Sequence, residues 1–140
     1  MLTSENLSDC LVLNTVAAAR TLLRRGDAAL KPFGVTVQQF SLLAAIRLHE
    51  GKPVTSLAQR IHLDRTSLTR NLNLLERKGL VRRNAETVGN VRICTLTEEG
   101  NRLFDQLLPV WKGTRTELLK TISVDDAETY LNVARQFISE

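Results

Sequence analysis

The sequence has few of the residues that build metal centres or disulfide frameworks. Its 140 residues include two cysteines, two histidines and three prolines, and aromatic residues make up 4% of the chain. Cys10 and Cys94 lie far apart in the sequence, which is typical of a protein in a reducing compartment. His49 and His62 lack the spacing of a metal-ligand pair. We therefore expect neither a metal nor a cofactor.

Long hydrophobic runs are also missing. The apolar runs are short, as at residues 11–13, and none approaches the length of a membrane span. Glu5 and Asp9 stand where a secretory signal would be basic, which predicts a cytoplasmic protein that does not enter a membrane. The sequence has no nucleophile–base pair, phosphate-binding loop or dinucleotide-binding motif, and this argues against an enzyme.

The positive charge is concentrated in the middle of the chain. The net charge is +4, but residues 60–92 hold eight basic and three acidic residues, an excess of +5. The rest of the chain holds eleven basic and twelve acidic residues, a balance of −1. The middle segment could therefore attract a polyanion, although a solvated basic surface is the ordinary alternative.

Hydrophobic spacing and capping residues predict six helices. Thr36 with Gln39, and Ser123 with Asp126, have the pattern of capping boxes, whereas Thr55, Asp64 and Thr97 are predicted N-caps. The predicted helices cover residues 6–31, 36–49, 56–61 and 65–78, followed by one after Thr97 and one after Ser123. The helix over residues 6–31 is apolar on two sides, which favours a neighbour from a second chain.

Two short strands are predicted between the fourth and fifth helices, at residues 80–83 and 91–96. The fold class is thus mainly α with a small two- to three-stranded β wing. We assign residues 35–96 to a winged helix-turn-helix DNA-binding domain. Residues 1–34 and 97–140 form a helical dimerisation region in this interpretation.

The predicted helix over residues 65–78 has an unusual outer face. Leu68, Leu72 and Leu75 share the inward side at 100° per residue. The opposite side carries a polar stripe without carboxylates, consisting of Thr66, Arg70, Asn73 and Arg77 and flanked by Ser67 and Thr69. Any amphipathic helix has a polar face, but these side chains can pair with base edges and phosphates in the major groove of DNA.

Three stretches, "GVTVQQFSLLAAI", "VTSLAQRIHLDRTSLTRNLNLLERKGLVRR" and "LTEEG", closely resemble the MarR family of bacterial transcriptional regulators over residues 34–100. The resemblance implies a winged helix-turn-helix homodimer that binds pseudo-palindromic operator DNA, usually as a repressor. It also implies release by a small-molecule inducer or by oxidation. Thr66, Ser67, Thr69 and Arg70 occupy the recognition positions of the family.

The wing departs from the family pattern, in which an Asp-x-Arg signature precedes the second strand. Val88, Gly89 and Asn90 stand there, and Arg92 is the nearest substitute, with Arg82 and Arg83 on the opposite strand. A wing tip without its arginine loses attraction for the minor groove. The full set of predicted DNA contacts is Arg65, Thr66, Ser67, Thr69, Arg70, Asn73, Arg77, Arg82, Arg83, Asn90 and Arg92.

Two other functions remain open at this stage. Cys10 could act as a redox switch, because some relatives of the family sense peroxide through an N-terminal cysteine, but a free cysteine more often packs as a small apolar residue. A helical module that binds protein or RNA could also use the same motif. Thiol titration of Cys10 with operator release as the readout, and competition between duplex DNA, RNA and protein, would separate these possibilities.

Overall fold

The computed structural model describes residues 7–88 and 91–139. Side-chain caps define where most of its helices begin. The Thr36 hydroxyl accepts from the Gln39 N–H, and the Gln39 side chain accepts in turn from the Thr36 N–H, each at 3.2 Å, so the predicted capping box is confirmed. The helices and strands are α1 Leu11–Leu30, the 3₁₀ turn Lys31–Phe33, α2 Val37–Leu48, α3 Val54–Arg60, α4 Arg65–Arg77, β1 Val81–Val88, β2 Val91–Leu96, α5 Glu98–Leu118 and α6 Val124–Ile138.

Two helix starts were predicted wrongly. The predicted first helix is interrupted: residues 7 and 8 are helical, the chain turns at Asp9 and Cys10, and α1 begins at Leu11. The Asn14 side chain donates to the carbonyls of residues 8 and 10, both at 2.8 Å, and so bridges the two sides of the break. The α3 helix begins at Val54 with Pro53 at its N-cap, because the proline has no N–H to leave unsatisfied.

The predicted second capping box is only half formed. The Ser123 hydroxyl accepts from the Asp126 N–H at 3.0 Å, but no reciprocal bond from the Asp126 carboxylate is found in the described part of the chain. An aspartate is one methylene shorter than the Glu or Gln that usually closes this motif. The N-caps Asp64 and Thr97 are confirmed, since each side chain accepts from an N–H three residues later.

The wing is a two-stranded antiparallel sheet in which Val81 faces Leu96 and Val88 faces Val91. The register is irregular between Arg83 and Thr87. The first strand is longer than the predicted residues 80–83, because its second half is polar and resembles a loop in sequence. Pro53 forms an isolated bridge to Ile93, which supplies the third strand position expected of the fold class.

The core lies where α2, α3, α4 and the wing meet the middle of α5. Leu42, Leu43, Ile46, Leu57 and Leu75 are fully buried there. The ring of Phe40 stacks on Phe104 at 5.5 Å and meets Trp111 at 4.9 Å, which ties the helix-turn-helix to α5. The Asp27 carboxylate of α1 accepts from the Val37 N–H at 2.7 Å and joins α1 to the start of α2. These contacts position α4 relative to the terminal helices.

The terminal helices keep much of their apolar surface exposed. Gly26 and Leu30 are the buried residues of α1, and Ala127 is the buried residue of α6. The large hydrophobic side chains exposed at the two ends of the chain include Leu11, Val12, Leu13, Val16, Leu22, Leu23, Ile122, Val124, Tyr130, Leu131, Val133, Phe137 and Ile138. None of the helices in residues 7–88 and 91–139 is long and apolar enough to cross a membrane.

Candidate nucleic-acid interface

The first turn of α4 is stabilised by its N-cap, Asp64. The Asp64 carboxylate accepts from the Ser67 N–H at 3.0 Å. Hydrogen bonds from the Ser67 side chain and then from its backbone hold the pKa of Asp64 below its ordinary value. The carboxylate therefore stays ionised at neutral pH. It holds the first turn of α4 in place, and the residues that follow are presented in helical order.

The outer face of α4 forms an open groove of about 550 Å³. Its side chains come from successive turns of one helix face, and all of them are exposed. They are Arg65, Thr66, Thr69, Arg70, Asn73 and Arg77. Among the residues that the structure describes, none that lines this groove is a carboxylate. The groove therefore presents three guanidinium charges together with hydroxyl and amide groups, a set suited to phosphates and base edges.

The structure brings these predicted residues together because the inward face of α4 is held firmly. Leu68, Leu72 and Leu75 are buried. The buried Asn71 accepts from Gln39 Nε2 at 3.4 Å, and its own amide donates to Gln38 Oε1 at 3.3 Å. These amide bonds link α4 to the start of α2 and fix its rotation about its axis.

Sequence reasoning missed the amide link between α4 and α2. Asn71 lies among leucines on the inward face, and a buried polar residue at such a position signals a specific partner. The partner itself is 32 residues away in the chain. Which residue becomes the hydrogen-bond partner of Asn71 is therefore set by the packing of α2 against α4.

Ser67 lies at the edge of the groove, half-buried, with its N–H committed to Asp64. It is not among the residues that line the groove in the described structure.

The two arginines of β1 point in different directions. Arg82 is exposed. Arg83 turns toward α4, where its Nη2 donates to Asn73 Oδ1 at 2.6 Å and its Nε lies 3.3 Å from Glu76 Oε2. The sequence predicted a DNA contact for Arg83, but it did not predict these contacts with α4. Arg92 lies in β2 opposite Thr87, and the predicted contact Asn90 lies outside the described residues.

The remaining candidates do not line the groove in the described structure. Cys10 is half-buried at the N-cap of α1, and Cys94 is buried in β2. His49 ends α2, as predicted, and His62 adopts a left-handed φ of 55° in the corner between α3 and α4. No group of three or more metal-ligating side chains comes together within residues 7–88 and 91–139.

A second cavity, of about 580 Å³, lies between α1 and α5. Its walls combine apolar groups with one charge of each sign. The lining residues are Leu22, Arg25, Gly26, Ala29, Trp111, Thr114, Glu117, Leu118 and Thr121. This mixture resembles a binding site for a small organic molecule more than a packing defect.

A helix-turn-helix followed by a β wing, with a basic outer face on its second helix, defines a winged helix-turn-helix protein. Comparison of the sequence and the structure with known proteins supports this class. The sequence model described as the MarR family matches residues 33–89. The chain is 35% identical to the M. tuberculosis transcriptional regulator MosR, whose crystal structure is in complex with DNA; the match covers 91% of this chain and 97% of that one, with a TM-score of 0.74.

Two further relatives extend the comparison. The transcriptional regulator SarZ of Staphylococcus haemolyticus is 29% identical over 95% of this chain and 90% of its own length. E. coli MarR, at 24% identity, has the same fold, with a TM-score of 0.74 over 91% of this chain and 96% of that one. The chain belongs to the MarR family of transcriptional regulators.

Proposed function

We propose that this chain is a DNA-binding repressor that acts as a homodimer on a pseudo-palindromic operator. The observation that carries the proposal is the carboxylate-free groove along α4. In this proposal α4 enters the major groove of duplex DNA, and Arg70 with its neighbours reads base edges. The relative MosR, described in complex with DNA, supports the choice of duplex DNA as partner.

The proposed contacts divide by position. Arg65, Thr66 and Ser67 lie in the first turn of α4, where the helix end favours phosphate. Thr69, Arg70, Asn73 and Arg77 follow along the helix toward the bases and the far backbone. Arg82, Asn90 and Arg92 would meet the DNA backbone or minor groove through the wing. This division assigns DNA binding to residues 35–96.

The homodimer is proposed from the apolar surface of the terminal helices. Side chains such as Leu11, Val12, Tyr130 and Phe137 are more than half exposed in the single chain. Contiguous apolar surface of this kind favours association. Residues 1–34 and 97–140 of two copies would cover one another and set the two α4 helices about 34 Å apart, one turn of DNA.

Release by a small organic ligand is proposed from the cavity between α1 and α5. The cavity contacts Gly26, next to Asp27, whose carboxylate accepts from the N–H of Val37 at the start of α2. A ligand that moved α1 against α5 would therefore also move the start of α2. Titration of small molecules against the protein–DNA complex tests this proposal.

The DNA-binding proposal is tested by enrichment from a randomised duplex library, followed by footprinting on the chain's own upstream region. We expect a site with two-fold symmetry and an affinity that falls steeply with salt. Arg70→Ala should weaken binding to the enriched duplex by about 1–3 kcal/mol, without unfolding the protein.

Arg115→Ala is the matched control for Arg70→Ala. It removes the same charge from α5 and does not line the groove. Failure to enrich any duplex, or equal affinity of the Arg70 variant and the wild type, would refute the proposal.

A further inference from the structure

Arg83 links the wing to α4 through its side chain. Arg83 of β1 reaches two acceptors on α4, Asn73 Oδ1 at 2.6 Å and Glu76 Oε2 at 3.3 Å. These acceptors are three residues apart and therefore lie on one side of the helix. The side chain of Arg83 is 30% exposed. Its charge thus lies beside the Glu76 carboxylate, and its Nη2 is engaged by Asn73.

The contact determines which way the Asn73 amide faces. A guanidinium can only donate hydrogen bonds, so the Asn73 atom that meets it must be the carbonyl oxygen. The Asn73 Nδ2 is then directed away from Arg83. Asn73 itself is exposed and lines the groove beside Arg70 and Arg77.

The backbone of Asn73 is held in the same region of the helix. Its carbonyl accepts from Arg77 Nε at 3.4 Å. Because the side-chain oxygen faces Arg83, the part of the Asn73 amide directed away from the wing is its Nδ2 donor.

We propose that Arg83 is a specificity-determining positioning residue that makes Asn73 a hydrogen-bond donor toward DNA. This inference rests on the proposed DNA-binding function. An asparagine that pairs with adenine must donate to N7 and accept from N6 at once. The bond from Arg83 turns the Asn73 oxygen toward the wing and leaves Nδ2 on the other side. In this orientation Asn73 suits guanine better than adenine, because N7 and O6 of guanine both accept.

The first test locates the base pair that Asn73 reads. A duplex enriched by the wild-type protein from a randomised library is varied one base pair at a time. The position sought is the one where Asn73→Ala abolishes the base preference. We expect the wild type to prefer guanine there over adenine by about tenfold, which is within the range for one base contact.

Arg83→Ala is the decisive variant. It frees the Asn73 oxygen, so the preference for guanine over adenine at that position should fall by about tenfold or reverse. The salt dependence of binding should stay the same, because Arg83 neutralises no phosphate. If Arg83 did neutralise a phosphate, the variant would bind with a slope of log K against log salt smaller by about 0.9, and the base preference would not change. That result would overturn the proposal.

Arg82→Ala is the matched control, because it removes the same charge one residue earlier in the strand. It should leave the base preference at the Asn73 position unchanged, whatever it does to total affinity. An equal loss of preference in both variants would mean that wing charge in general sets specificity, and would overturn the proposal.

Asn73→Asp is a second variant that does not depend on removing Arg83. It keeps the acceptor that Arg83 uses but loses the amide donors, so the protein should remain as stable as the wild type to urea. Its preference should move from guanine toward cytosine, whose N4 donates. Retained preference for guanine would refute the inference. Failure of the wild type to enrich any duplex would instead refute DNA binding itself.

Discussion

Among the glycines that the structure describes, Gly100, in the first turn of α5, leaves the least room for a Cβ. A Cβ added there would lie 2.1 Å from the Leu80 carbonyl oxygen and 3.0 Å from its carbonyl carbon. The same oxygen accepts from the Thr97 N–H at 3.0 Å, so it cannot turn away without breaking that bond. Substitution by alanine must therefore separate α5 from the base of the wing.

The size of the destabilisation by Gly100→Ala follows from opposing effects. Alanine improves helix propensity by about 1 kcal/mol over glycine. Overpacking costs about 1–3 kcal/mol, and loss of the Thr97 hydrogen bond costs about 1 kcal/mol more. We expect Gly100→Ala to lower the free energy of unfolding by about 2 kcal/mol.

Urea denaturation at a fixed protein concentration measures this change, because assembly would otherwise alter the apparent stability. Gly113→Ala is the matched control in the same helix, since a Cβ at Gly113 meets no atom within 4 Å. That variant should be more stable than the wild type by up to about 1 kcal/mol. If Gly100→Ala proved as stable as Gly113→Ala, the packing argument for the wing would be refuted.

Three further results are expected. Asn71→Ala leaves the Gln39 amide without its acceptor and should destabilise the protein to urea by about 1–3 kcal/mol; an unchanged midpoint would contradict this role. Asp64→Ala removes the N-cap of α4 and should lower the urea midpoint at pH 7. Since folding lowers the pKa of Asp64, this contribution is complete above its unfolded pKa of about 3.9 and is lost as the pH falls through the folded pKa. If the stability difference between the wild type and Asp64→Ala increased as the pH fell, this expected pH dependence would be contradicted. Phe137→Glu places a charge on the exposed apolar face of α6 and should shift the protein toward monomer in sedimentation velocity. A variant that remained as dimeric as the wild type at every concentration would remove α6 from the proposed interface.

Local patterns predicted most of the helices correctly. Thr36, Asp64 and Thr97 begin helices because each cap bonds an N–H only three residues away, which short-range sequence contains. The prediction was wrong at the start of α1 and of α3. At α1 the hydrophobic spacing continues through the turn at Asp9 and Cys10, whereas α3 begins at Val54, before the predicted cap Thr55.

The outer face of α4 was also predictable, because helical spacing alone puts Arg70, Asn73 and Arg77 on the side opposite the buried leucines. The sequence by itself therefore determined which chemical groups line the groove. Its roles toward DNA remain predictions until binding is measured.

Only the tertiary structure decided what each polar group of α4 is paired with. Strand alternation puts Arg82 and Arg83 on opposite faces but does not show which face meets α4. The bond from Arg83 to Asn73 and the bond from Gln39 to Asn71 join separate elements. Such bonds exist only once the wing and α2 have packed on α4, because distance in space, and not spacing along the chain, sets the energy of a hydrogen bond.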